Sequence, residues 1–146
     1  LDILSRAAAM FDKVIIAVLK NNSKTPAFSV EERVEMLKAV TGGMTNVKID
    51  SFTGLLADYC HKVDADIIVK GLRAMSDFES EFQMALTNKQ LNPHVETIFL
   101  TTNVKYMYLS SSVVREVARH EGDISHFVPQ EIRQKVIDKL SLRKGV

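Results

Sequence analysis

The chain has 146 residues, of which 46% are hydrophobic and 25% are charged, and its formal net charge at pH 7 is +1. These values are typical of a single globular domain and exclude a disordered chain. The small net charge argues against a broad nucleic-acid-binding surface, and no apolar run reaches the ~18 residues that a membrane span requires. The start, Leu1 to Leu4, lacks the basic and apolar segments of a signal peptide, so we expect a cytoplasmic protein.

The predicted elements alternate between helix and strand. Strands are predicted where short apolar runs are bounded by polar or glycine-containing segments, at residues 13–19, 47–49, 66–69 and 96–100. Helices are predicted from apolar spacing at about residues 1–11, 29–41, 55–63, 76–91, 110–122 and 129–140. This alternation predicts an α/β fold with a parallel sheet.

Two of these helices begin with a capping-box pattern, Ser29 to Glu32 and Ser76 to Glu79. Pro129 is suited to the first turn of the last helix. The single cysteine, Cys60, excludes an internal disulfide, fits a reducing compartment and is predicted to be a packed thiol.

Four histidines, His61, His94, His120 and His126, have no recognised zinc-ligand spacing. We therefore expect no structural metal.

Two strand-to-helix junctions carry groups that suit a phosphorylated ligand. Lys70 to Arg73 forms a predicted basic loop after the third strand, and Ser110 to Ser112 precede a helix. Helix N-termini offer unpaired N–H groups and a positive dipole, to which lysine, arginine and serine add donors. Because ligands of parallel sheets lie beyond the carboxyl ends of the strands, we expect the loops that follow the four strands to converge there.

The first predicted element is a helix with no preceding strand and no capping residue. A parallel α/β sheet normally begins with a strand, and the sequence has no initiator methionine. We therefore expect that a strand and its following loop precede Leu1 in the complete protein, and that residues 1–146 belong to one domain.

Three segments together resemble the bacterial phosphopantetheine adenylyltransferase family of the nucleotidyltransferase superfamily. They are residues 23–33 (SKTPAFSVEER), 70–81 (KGLRAMSDFESE) and 109–118 (LSSSVVREVA), and the intervening lengths agree over essentially the whole chain. The resemblance implies a Rossmann-like, doubly wound fold with C-terminal helices. It also implies transfer of AMP from ATP to 4′-phosphopantetheine, giving dephospho-coenzyme A and pyrophosphate, with Mg²⁺ arriving on the nucleotide.

The resemblance also assigns residues to this reaction. It implies that Lys24 and Arg73 are catalytic, and that Lys24, Leu56 and Lys70 bind phosphopantetheine, with Leu55 beside the pantetheine arm. It implies that ATP is bound by a larger set, namely Gly71, Leu72, Arg73, Glu81, Tyr106, Met107, Tyr108, Leu109, Ser110, Ser111 and Ser112. Of these, Gly71 would allow close backbone approach, and the serines would line the triphosphate pocket.

One departure from the family pattern is large. The family's first strand and its T/S-x-G-H loop, which carries a catalytic histidine, have no counterpart in residues 1–146. One alternative is therefore a binder of ATP or coenzyme A that is inert because it lacks this loop. Another is an adenylyl- or cytidylyltransferase with a different phosphorylated acceptor, although residues 70–73 and 77–81 favour pantetheine. The resemblance further implies a homohexamer that binds coenzyme A as a feedback ligand.

Overall fold

The computed structural model describes residues 1–20 and 26–141 and follows the predicted alternation of elements. The helices are α1 (Asp2–Met10), α2 (Val30–Thr41), α3 (Leu56–Val63), α4 (Met75–Leu91), α5 (Ser111–Arg119) and α6 (Gln130–Ser141). The strands are β1 (Val14–Leu19), β2 (Val47–Phe52), β3 (Ile67–Leu72) and β4 (Glu96–Thr101). The predicted α/β class with C-terminal helices is confirmed.

Hydrogen bonds pair these strands two by two, β1 with β2 and β3 with β4. The β3–β4 pair is parallel, in a register that runs from Ile67 opposite Glu96 to Leu72 opposite Thr101. Helix α4 supplies the crossover between them, as parallel neighbours require.

The chain forms two compact units. Unit 1 comprises Leu1–Val14 and Phe52–Tyr108, and unit 2 comprises Ile15–Ser51 and Leu109–Val146. In unit 1, Cys60, Ile68 and Val95 form a buried cluster. In unit 2, the buried cluster comes mainly from α5, α6 and the segment between them, and consists of Ala118, Ile124, Val128, Val136 and Leu140.

The thiol of Cys60 is packed, as predicted, with 4% of the residue exposed. Burial raises the pKa of this thiol, because a thiolate would lose its hydration there. Cys60 therefore behaves as a small core residue of unit 1.

Helix α1 lies against β3 in unit 1. A Cβ atom added to Gly71 would lie 3.0 Å from Cγ1 of Ile3, so a side chain at position 71 would crowd this helix. Arg6 Nη1 donates to the carbonyl oxygen of Thr101 at 2.7 Å, which joins the same helix to the end of β4. The glycine in the predicted phosphate loop thus also serves helix packing.

The first predicted capping box is confirmed at the start of α2. Glu32 N donates to Ser29 Oγ at 3.1 Å, and Ser29 N donates to Glu32 Oε2 at 2.7 Å. The other carboxylate oxygen, Glu32 Oε1, accepts from Lys139 Nζ of α6 at 2.7 Å. Glu32 therefore joins the N-terminus of α2 to α6 within unit 2.

We expect this contact to give unit 2 a pH-dependent stability. The bond from Lys139 and the Ser29 N–H hold the pKa of Glu32 below its ordinary value of 4.5. A lowered pKa favours folding above the unfolded-state pKa, and the benefit is lost as the pH falls through the folded-state value. The unfolding free energy of Glu32→Gln should therefore be lower than wild type at pH 7 and approach it below about pH 4. Urea unfolding followed by circular dichroism measures this difference.

The Lys139→Met variant provides the control for that experiment. It removes the largest cause of the lowered pKa, so it should reduce the pH dependence while leaving the capping box in place. A difference between wild type and Glu32→Gln that does not change with pH would contradict the prediction.

Several predicted boundaries were wrong, and β2 is one of them, because it runs to Phe52 instead of ending at residue 49. Lys70, Gly71 and Leu72 are not in a loop but form the end of β3, because pairing with Phe99, Leu100 and Thr101 continues the ladder past the apolar run. The second capping box is not at Ser76, because α4 begins at Met75 with Ala74 as its N-cap residue.

No helix in residues 1–20 and 26–141 is both long and apolar enough to cross a membrane.

Candidate active site

The basic segment of unit 1 lies at the carboxyl end of β3. Arg73 follows the strand directly, and its Nε lies 3.2 Å from Oδ2 of Asp77, in the first turn of α4. The side chains are 44% and 32% exposed, so the guanidinium is held by a carboxylate and still reaches solvent. This arrangement orients Arg73 without burying its charge, which suits a ligand with phosphate groups.

Lys70 and Glu81 form the second ion pair of this region. Lys70 Nζ lies 3.2 Å from Glu81 Oε2, and both side chains are 31% exposed. The sequence assigned these residues to different substrates, and the structure places them in contact. Asp77, the partner of Arg73, was missed, although its i, i+4 spacing from Arg73 was a readable signal.

The aromatic segment after β4 begins with a single 3₁₀ turn, Val104–Tyr106. Asn103 caps this turn by accepting from Lys105 N at 3.1 Å. Lys105 Nζ lies 4.7 Å from the centre of the Tyr106 ring, and the hydrogen bond to the Tyr106 side chain raises the pKa of Lys105. Met107 and Tyr108 are 40% and 87% exposed. These side chains are available to a flat ligand such as a nucleobase.

The serine run of unit 2 opens α5. Ser110 is the N-cap residue, and its Oγ accepts from Val113 N at 3.2 Å. Ser111 and Ser112 lie in the exposed first turn, which contains no acidic residue. The site at this end of α5 thus combines hydroxyl groups with helix amides, and no carboxylate of that turn opposes an anion.

We expect Ser110→Ala to lower the unfolding free energy by about 0.5–2 kcal/mol, because the amide of Val113 loses its acceptor. Ser111→Ala is the matched control, since Ser111 is the exposed first residue of the helix and is not the cap. Urea unfolding of the two variants beside wild type measures the effect. Equal stability of the two variants would contradict the capping role.

The remaining predicted residues are placed as follows. Leu55 is the N-cap residue of α3 and is 53% exposed, whereas Leu56 packs against the buried cluster of unit 1. Leu109, at the start of the second segment of unit 2, is half-buried. Lys24, which was predicted to be catalytic, lies outside the described residues.

The described residues contain no group of three or more histidine, cysteine, aspartate or glutamate side chains arranged to hold a metal ion.

Comparison with known proteins gives the class first. The family described as cytidylyltransferase-like matches residues 1–117. A phosphopantetheine adenylyltransferase of Caldanaerobacter subterraneus subsp. tengcongensis is 55% identical over 139 residues, which cover 95% of this chain and 87% of the relative. The protein of the same name from Dictyoglomus turgidum is 50% identical over 143 residues, covering 98% and 89%. That from Lachnoclostridium phytofermentans is 49% identical over 145 residues, covering 99% and 89%.

The chain therefore belongs to the phosphopantetheine adenylyltransferase family, within the cytidylyltransferase-like group of nucleotidyltransferases. The resemblance drawn from the three sequence segments is confirmed.

Proposed function

We propose that this protein transfers AMP from ATP to 4′-phosphopantetheine and so forms dephospho-coenzyme A in coenzyme A biosynthesis. The observation that carries the proposal is the 49–55% identity to enzymes of that name over almost the whole chain. A phosphate oxygen of the acceptor attacks the α-phosphorus of ATP, and the bond from that phosphorus to the bridging oxygen breaks. Pyrophosphate leaves with the bonding electrons.

The proposed residue roles follow from the negative charge on the phosphate groups that react. Arg73 contacts the phosphates of ATP, where its fork of donors matches the oxygens. Lys70 and Lys24 bind the acceptor phosphate, and Lys24 also stabilises the transferring group. The positions of Arg73 and Lys70 at the carboxyl end of β3 support their roles, because their side chains are 44% and 31% exposed. The exposed Ser111 and Ser112 at the start of α5 add donors for the triphosphate.

Gly71, Leu72 and the segment from Tyr106 to Leu109 complete the proposed nucleotide site, and Glu81 lies at its edge beside Lys70. Leu56 contacts the pantetheine arm in this proposal.

Mg²⁺ is proposed to enter with ATP. The ion prefers phosphate and water oxygens and needs few protein ligands. The hydroxyl and N–H groups at the start of α5 suit phosphate oxygens rather than a cation, and the first turn has no acidic residue, so the ion would be held mainly by the nucleotide. When bound, Mg²⁺ would neutralise charge on the phosphate oxygens.

The proposal extends to assembly and regulation. We propose a cytoplasmic homohexamer that binds coenzyme A as a feedback ligand. Self-association is supported by large apolar side chains of α4 that are about half exposed, namely Phe82, Met84, Leu86 and Leu91. The pantetheine portion that coenzyme A shares with the acceptor supports the feedback site. Light scattering coupled to size-exclusion chromatography tests the assembly.

The function is tested by measuring pyrophosphate release from ATP and Mg²⁺ with the product of the complete reading frame. Release should require 4′-phosphopantetheine. It should not occur with pantetheine, which lacks the attacking phosphate, and it should be much weaker when CTP replaces ATP.

Release with CTP alone among the nucleotides would indicate a cytidylyltransferase. Binding of ATP or coenzyme A without any release would indicate an inert binder. Either result would overturn the proposal.

A further inference from the structure

The position of Glu81 is fixed by aromatic packing between α4 and the β3–β4 pair. Lys70 of β3 is opposite Phe99 of β4, and Phe99 makes an edge contact with Phe78 of α4 at a ring distance of 5.9 Å. Phe78 also stacks on Phe82 at 5.5 Å. Glu81 follows Phe78 by three residues and so lies on the same face of the helix. Helix α4 therefore places the Glu81 carboxylate beside Lys70 of β3.

In this ion pair, one carboxylate oxygen of Glu81 is shielded from solvent, whereas the side chain of Lys70 is partly exposed. Glu81 Oε2 is shielded from solvent and accepts no hydrogen bond among the described residues, so the ammonium of Lys70, at 3.2 Å, is the cation that compensates it. A shielded carboxylate oxygen is costly without such compensation. The lysine ammonium has three donors and retains 31% side-chain exposure, so it can meet a second anion while it stays beside Glu81.

We propose that Glu81 is a positioning residue for the acceptor side of the site, acting through Lys70. This inference rests on the proposed function and changes the role of Glu81 from a nucleotide contact to a support for the acceptor phosphate. A lysine has a long, mobile stem, and holding its ammonium in one place removes part of the ordering cost of binding. The carboxylate thus prepares Lys70 for an incoming phosphate.

A double-mutant cycle tests this role. We expect Glu81→Gln to raise the KM for 4′-phosphopantetheine about five- to tenfold, while the KM for ATP changes by less than about twofold. Lys70→Met should raise the acceptor KM further. The double variant should bind the acceptor no more weakly than Lys70→Met, because without Lys70 the carboxylate has no ammonium to position and only repels the phosphate.

Calorimetric titration of each variant with 4′-phosphopantetheine alone should show the same pattern in the dissociation constant, without turnover. Glu79→Gln is the matched control, because Glu79 is an exposed carboxylate on the same helix. Circular dichroism melting of each variant separates loss of folding from loss of binding. If Lys70→Met does not fold, Lys70→Arg is used instead. The effect of Glu81→Gln on acceptor binding is then measured in the wild-type and in the Lys70→Arg background, and the two effects are compared.

Three results would overturn the inference. The first is a rise in the ATP KM of Glu81→Gln with an unchanged acceptor KM, which would assign Glu81 to the nucleotide. The second is tighter acceptor binding by Glu81→Gln, which would show that the carboxylate only competes with phosphate. The third is an additive double variant. If the wild-type protein does not bind the acceptor at all, the proposed function is wrong and this inference fails with it. That outcome is seen in the wild-type titration, before any variant is compared.

Discussion

Replacing Arg73 by alanine is expected to lower kcat/KM for pyrophosphate release about 10²–10³-fold, which corresponds to about 3–4 kcal/mol of transition-state stabilisation. The guanidinium directly follows β3, is oriented by Asp77 and is 44% exposed, so its removal takes away a directed positive charge. The loss should exceed any effect on folding, because surface ion pairs contribute at most about 1 kcal/mol to stability. Steady-state kinetics and urea unfolding of the same preparation measure both quantities.

Two further variants make the Arg73 result specific. Arg119→Ala removes an exposed arginine from the last turn of α5 and should retain wild-type turnover. Asp77→Asn leaves the charge of Arg73 in place but removes its carboxylate partner, so the loss should stay within about tenfold. Wild-type turnover by Arg73→Ala would refute its catalytic role.

Replacing Leu140 by alanine is expected to reduce the unfolding free energy by about 2–5 kcal/mol. Leu140 is only 2% exposed and belongs to the buried cluster formed mainly by α5, α6 and the segment between them. The truncation would leave a cavity where α6 packs, and the loss is a large part of the ~5–15 kcal/mol that stabilises a typical domain. The shift of the urea midpoint, with the slope held equal to wild type, measures this effect.

The matched leucine for this comparison is Leu55, which is the N-cap residue of α3 and is 53% exposed. Leu55→Ala should change the unfolding free energy by no more than about 0.5 kcal/mol. Equal losses in the two variants would show that burial of Leu140 does not set its contribution.

Features encoded by neighbouring residues were predictable from the sequence. The capping box at Ser29 was correctly placed because both of its hydrogen bonds join residues only three apart. The end of α4 at Leu91 was also correctly placed, since Pro93 follows closely. The family was recognisable because three whole segments carry its pattern.

Features set by distant partners were not predictable in the same way. The end of β3 was placed too early, because Lys70 and Gly71 interrupt the apolar run although pairing with β4 holds them in the strand. The contact of Lys70 with Glu81 depends on the packing of α4 over the strands, and no local spacing signals it. The assigned roles of the site residues stay predictions, including that of Lys24.

The division of unit 2 into two stretches of chain has a consequence for synthesis on the ribosome. The bond between Glu32 of α2 and Lys139 of α6 joins residues 107 apart, so it can form only after nearly the whole of α6 has been synthesised. The parallel pair β3–β4 of unit 1 joins residues only about 30 apart in the chain, so it can form much earlier. We therefore expect nascent chains that stall before α6 to leave α2 uncovered, which makes that helix an early target for chaperones and proteases.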